Sequence, residues 1–172
     1  MSMSESASDF SLPNAGPGPN PLSLDALSDD TAFVALYFQR DHYCGNCRSQ
    51  VQSLADRADE FRQRDAEIVS ILPEPLERAQ EWQDDYDLPY PLLADPDASA
   101  GEAYDQPVRF GILGTISDLA GRMPVVAIID RREATPTVAW SYSGSSPTDR
   151  PDIDEVLGHL DDLQQGVSLA DS

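Results

Sequence analysis

The sequence predicts an α/β layered fold. Two observations carry this: short apolar runs of strand length recur along the chain, and amphipathic segments with helical spacing separate them. The first run, "TAFVALYF" at 31–38, is continuously apolar, β-branched and aromatic, the pattern of a strand buried on both faces. After it Cys47, Val51, Leu54, Ala55, Ala58 and Phe61 keep one helical face, with Arg, Asp and Glu on the other. "EIVSIL" at 67–72 predicts a second buried strand. "PEPLERAQEWQDDYD" then predicts a helix with Pro75 in its first turn and Leu76, Ala79, Trp82 and Tyr86 on one side.

"PYPLLADPD" reads as a short extended piece ending in a turn, and "ASAGEAYD" as a short helix. Beyond the glycine-containing loop around 111–121, "MPVVAIID" predicts a further buried strand and "TVAWSYSG" an edge strand. "RPDIDEVLGHLDDLQ" closes the pattern as a helix with Ile153, Val156, Leu157 and Leu160 inward. Residues 1–30 are rich in Ser, Pro, Asn and Gly, and "PNAGPGPNP" is incompatible with regular structure. The reading is one domain over residues 9–165, with mobile tails at 1–8 and 166–172.

Composition narrows the function classes. The 172 residues carry 11 basic and 31 acidic side chains, a net charge of −20, and every basic residue is Arg. Such a chain repels itself in dilute buffer, whereas molar salt shortens the Debye length to roughly 3 Å. The acids are spread along the whole chain, so the expectation is a protein of an extremely halophilic cytoplasm. Nucleic acid is excluded as a partner because nothing offsets phosphate repulsion. The start "MSMSESASDF" lacks the basic and apolar regions of a signal peptide, and "PVVAIID" is too short to span a bilayer. A cytoplasmic protein without a membrane anchor is expected.

The candidate chemistry lies in "FQRDHYCGNCRSQ", which holds the two cysteines, Cys44 and Cys47. They fall between a predicted buried strand and the first turn of an amphipathic helix. A helix N-terminus is electropositive and stabilises a thiolate, the nucleophilic form. With C-x-x-C spacing, one sulfur at the helix tip can exchange with the other one turn in. A C-x-x-C beside a βαβ pattern is a thioredoxin-like signal. Three other readings compete. A structural zinc site needs four ligands, and His42, Cys44 and Cys47 would have to recruit His159 or an acid. Haem attachment needs His after the second cysteine, where Arg48 stands. Two inert core cysteines conflict with the polar Gly45-Asn46 insert. The expectation is therefore a redox dithiol with no metal. Arg40 is a candidate for lowering a thiol pKa, and Tyr43 for shaping a substrate surface.

These segments together resemble the alkyl hydroperoxide reductase C and thiol-specific antioxidant family, the peroxiredoxin-like branch of the thioredoxin superfamily. The resemblance rests on "DFSLPN" with "LSLDAL", "FVALYFQRDHYCGNC", "YPLLADPDASAGEAY", "PVVAIID" and the last helix, in order from Asp9 to Leu163. It implies a thioredoxin-like fold with a central mixed β-sheet flanked by helices, reduction of peroxides or disulfides, and no cofactor beyond the protein's own thiols. In the family pattern P-x-x-x-T-x-x-C the peroxide-attacking cysteine falls on Cys47, while Cys44 replaces Thr and Arg40 replaces Pro. In "GRMPVV", Arg122 lies two residues before the place of the family's peroxide-positioning Arg, and Pro124 stands where thioredoxins carry a cis-proline.

The resemblance implies a dithiol cycling to a Cys44–Cys47 disulfide that an external, thioredoxin-like dithiol reduces, in a monomer or homodimer. By thioredoxin logic Cys44 attacks first; by the peroxiredoxin count Cys47 does. Peroxide reduction is the leading expectation, protein disulfide reduction the alternative, and a non-enzymatic redox sensor a third.

Overall fold

A computed structural model describes residues 10–27, 31–39, 45–95, 125–132, 136–143 and 151–165. Within them the order is β1 (Phe33–Phe38), α1 (Gly45–Asp56), α2 (Ala58–Arg62), β2 (Ala66–Leu72), α3 (Leu76–Tyr86), β3 (Leu92–Ala94), β4 (Val125–Asp130), β5 (Thr137–Ser143) and α4 (Ile153–Gln164). The strands form one sheet in the order β3-β2-β1-β4-β5. β1 runs parallel to β2, as β2 does to β3, while β4 is antiparallel to both β1 and β5. The sheet is mixed, with β1 at its centre.

The strand predicted at 31–38 is buried at every position of β1, because both faces of the central strand are covered. Alternation sorts its side chains. Phe33, Ala35 and Tyr37 join Val51 and Leu54 of α1, Phe61 of α2, Trp82 of α3 and Leu160 of α4. Val34, Leu36 and Phe38 face the other way, toward Leu12, Leu22 and Leu24. The "PLLAD" piece is a true strand: β3 extends the parallel side of the sheet. The "TVAWSYSG" run is β5, at the opposite edge, as its half-polar pattern predicts.

Two parts of the chain, the helices and the N-terminal stretch, hold what the sequence reading did not express. The helical face from Cys47 to Phe61 belongs to two helices rather than one, because Arg57 leaves helical geometry at φ −115° and ψ 13°. There the chain tightens into bonds from Arg57 N to the Leu54 carbonyl and from Glu60 N to the Arg57 carbonyl. The side chain of Arg57 bridges Glu60 and Asp154, tying the joint to α4. At the next helix, Pro75 sits one residue ahead of α3 instead of inside it.

The N-terminal stretch is irregular, as expected, but takes a role the sequence reading did not assign to it. It has no regular structure beyond a short 3-10 turn at Leu24–Ala26, yet it covers a core face. Leu12 and Leu22 exchange backbone hydrogen bonds of 3.1 and 2.9 Å, closing the proline-rich loop into a hairpin-like meander. Ala15 N donates to the Leu92 carbonyl and Ala94 N to the Pro13 carbonyl, so the meander also caps the open edge of β3. Asn14 organises this segment. Its Nδ2 donates to the Pro17 and Pro19 carbonyls, and its Oδ1 accepts from Gly16 N and Leu92 N. The predicted helix "ASAGEAYD", the 111–121 loop and the tails at 1–8 and 166–172 lie outside the described residues.

Candidate active site

The central strand delivers the chain to the site. β1 ends at Phe38, and Gln39 follows it on the helix-covered face, fully buried. A side-chain amide there needs partners. Gln39 Nε2 donates to Ser70 Oγ at 2.8 Å, and Gln39 N to the Ile71 carbonyl at 2.8 Å. These bonds tie the end of β1 to β2 immediately before the segment that carries the cysteines.

α1 begins at Gly45, which makes Cys47 its third residue. The first amides of a helix have no partner within it, and the aligned peptide dipoles leave positive charge at that end. The first turn holds no acidic residue to cancel this charge. From Gly45 to Ala55 the only charged residue is Arg48, in a chain whose net charge is −20. A thiol in such a turn is biased toward thiolate. The backbone of Cys47 lies in that first turn. Cys44, Arg40, Tyr43, Arg122 and Pro124 lie outside the described residues.

Behind α1 lies a group of residues that the sequence reading did not assign to the site. Arg48 Nη1 donates to Tyr86 Oη at 3.2 Å, and its guanidinium carbon lies 5.7 Å from the centroid of the Trp82 ring. Trp82 is fully buried, and Tyr86 meets it edge-on, with centroids 6.4 Å apart. Deeper in, Tyr90 Oη donates to the Val51 carbonyl at 2.8 Å, fastening α1 to the approach to β3. Burial pushes the Tyr90 and Tyr37 phenols well above the usual tyrosine range, so both stay protonated. The signal for Trp82 and Tyr86 was their spacing on the inner face of α3. What spacing alone could not show is that this face meets the residue after Cys47.

The AhpC/TSA family profile matches residues 3–134, most of the chain. The chain belongs to the AhpC/TSA family. Among curated proteins, peroxiredoxin Bcp of Bacillus subtilis (strain 168) is 26% identical over 73 residues, which are 42% of this chain and 46% of that protein. The matched stretch thus spans about half the length of that relative. Among solved structures, peroxidoxin BcpB from Mycobacterium tuberculosis aligns with a TM-score of 0.73 at 23% identity, covering 94% of this chain and 97% of that one. The reduced 2-Cys peroxiredoxin of Plasmodium vivax aligns with a TM-score of 0.76 at 18% identity, covering 96% and 98%. The fold is thioredoxin-like, with a mixed sheet flanked by helices, as these likenesses show.

His159, one possible fourth zinc ligand, packs elsewhere. Its ring lies against Trp140 of β5, with centroids 4.4 Å apart, and its Nε2 is 3.6 Å from Glu155 Oε2. Among the described residues no group of three or more His, Cys, Asp or Glu side chains could hold a metal ion. Among them also, no helix is long and apolar enough to cross a membrane.

Proposed function

We propose that the protein is a thiol-dependent peroxidase that works through Cys47 and Cys44. The observation that carries this reading is the position of Cys47, third in α1, within the region that matches the family. The family count puts the peroxide-attacking cysteine at the same residue.

In the proposed cycle the Cys47 thiolate attacks one peroxide oxygen. An S–O bond forms, the O–O bond breaks, and the electron pair leaves with the other oxygen, which takes a proton to become water or an alcohol. Cys47 is thereby oxidised to a sulfenic acid. The Cys44 thiolate then attacks that sulfur and expels hydroxide, which is protonated to water, leaving a Cys44–Cys47 disulfide. An external dithiol restores both thiols by exchange and is itself oxidised to a disulfide. Arg40 and Arg122 are assigned to contact with the thiolate or peroxide, and Tyr43 and Pro124 to the docking surface for substrate or reductant. The chain acts in the cytoplasm as a monomer or homodimer, without a cofactor, nucleic acid or membrane.

The test compares reduced wild type, Cys44→Ser and Cys47→Ser in molar KCl, against hydrogen peroxide and against a disulfide substrate. Peroxide consumption should be lost in Cys47→Ser. Cys44→Ser should complete one turnover and remain as a sulfenic acid that dimedone traps. Slow reaction with peroxide, with disulfide reduction lost in Cys44→Ser, would instead identify a protein disulfide reductase. Slow reaction with both would leave only a redox sensor.

A further inference from the structure

Residues 40–50 carry both cysteines, and a buried hydrogen bond ties the chain at each end of them. Just before them, Gln39 Nε2 donates to Ser70 Oγ of β2. Just after them, the carbonyl of Val51 in α1 accepts from Tyr90 Oη. The two anchors are themselves joined, since Ser70 N donates to the carbonyl of Pro91, the residue after Tyr90, at 3.1 Å. Leu92, next along, is bonded by Ala15 and Asn14 of the meander, so the anchor is braced from its outer side. Gln39, Val51, Ser70 and Tyr90 are all fully buried. Stability alone does not call for such groups. A mid-helix carbonyl is already served by its own helix, and an apolar pair of the same shape in place of Gln39 and Ser70 would be nearly neutral. What satisfied, buried polar bonds add is a single fixed arrangement.

We propose that Ser70 and Tyr90 are positioning residues for the cysteine pair. Acting through Gln39 and Val51, they tie both ends of residues 40–50 to one spot between β2 and β3, and so set how readily Cys44 and Cys47 close into a disulfide. A segment held at both ends has less freedom to lose when the disulfide ring closes, which favours closure. The proposal deepens the peroxidase reading and rests on Cys44 and Cys47 being its redox pair. It draws only on where the two cysteines lie in the chain and on the bonds that flank them.

The experiment equilibrates the full chain with mixtures of reduced and oxidised dithiothreitol in molar KCl and measures the fraction carrying a Cys44–Cys47 disulfide. In the exchange two electrons and two protons pass from dithiothreitol to the protein disulfide, leaving cyclic dithiothreitol disulfide and two protein thiols. Ser70→Ala and Tyr90→Phe each remove one of the two anchoring bonds with little change of shape. Each is expected to shift the equilibrium toward the dithiol by about fivefold. Thermal unfolding of the oxidised and reduced forms is followed alongside. A bond that only stabilises the fold weakens both forms equally and leaves the exchange equilibrium where it was. Folded variants with lowered stability and a wild-type equilibrium therefore overturn the proposal, as does a wild type that forms no such disulfide. If Ser70→Ala fails to fold, Tyr90→Phe decides alone. Peroxide consumption is assayed separately on the same proteins. A shifted equilibrium without peroxide consumption removes the peroxidase reading and leaves the positioning role standing.

Discussion

Replacing Asn14 by Ala removes the side chain that holds the N-terminal meander together. Asn14 is 6% exposed, and its amide makes four hydrogen bonds of 2.9–3.1 Å, to Pro17, Pro19, Gly16 and Leu92. Each such bond contributes about 1 kcal/mol net, and stranding a buried group costs about 1–3 kcal/mol. The loop carbonyls of Pro17 and Pro19 can turn to water, while Leu92 N sits against the edge of the sheet. The expected loss is therefore about 3 kcal/mol, below the full sum for four bonds. For a chain of this size that lowers the melting temperature by about 6–12 °C.

Asn14→Asp is the discriminating variant. It keeps an oxygen for Gly16 and Leu92 but sets a second oxygen against two carbonyls, so it should lose at least as much at neutral pH. Asn20→Ala removes only the bond from Asn14 N to Asn20 Oδ1 and should lose about 1 kcal/mol. Thermal unfolding followed by circular dichroism in molar KCl reads all three. Equal small shifts for Asn14→Ala and Asn20→Ala would refute the assignment of Asn14 as the organising residue.

Three further outcomes follow from the same structure. A Cβ on Gly16 would collide with the Tyr90 carbonyl and come within 3.0 Å of Leu92 N, so Gly16→Ala should cost about 1–3 kcal/mol in denaturant unfolding. At Asp130, burial pulls the carboxyl pKa upward, but hydrogen bonds from the Arg132 side chain and backbone outweigh it and hold the pKa low. A lowered folded-state pKa adds stability above the unfolded value and loses it as pH falls through the folded one. Asp130→Asn should therefore be less stable than wild type at neutral pH, and the gap should close in acid; a gap that stays constant with pH would sink this account. The third concerns the net charge of −20: the unfolding midpoint should rise steadily as KCl increases from low to molar concentration, and a flat response would remove the case for a halophilic surface.

The periodicity of the chain was enough to locate β1, β2, β4, β5, α3 and α4 within a few residues. Burial on both faces of β1, the edge position of β5 and the inward set of α4 are all written in local apolar patterns, because such patterns reflect which side of an element meets water. Cys47 was legible for the same reason: a buried strand, a short polar insert and an amphipathic helix put it in the first turn of α1.

What local pattern could not express was decided by contacts between distant residues. Nothing in "PNAGPGPNP" announces a core-covering meander, because its order comes from Asn14 reaching Leu92, a bond between positions 78 residues apart. Gln39 reads as the polar end of a strand until Ser70 receives its amide proton across the sheet. Arg48 reads as one more surface arginine until α3 packs Trp82 and Tyr86 beneath it. The sequence by itself determined that a cysteine would open a helix beside a buried strand. The tertiary structure decided what α1 meets on α3, since the Arg48 guanidinium is held in place by Trp82 and Tyr86, which the fold brings from elsewhere in the chain.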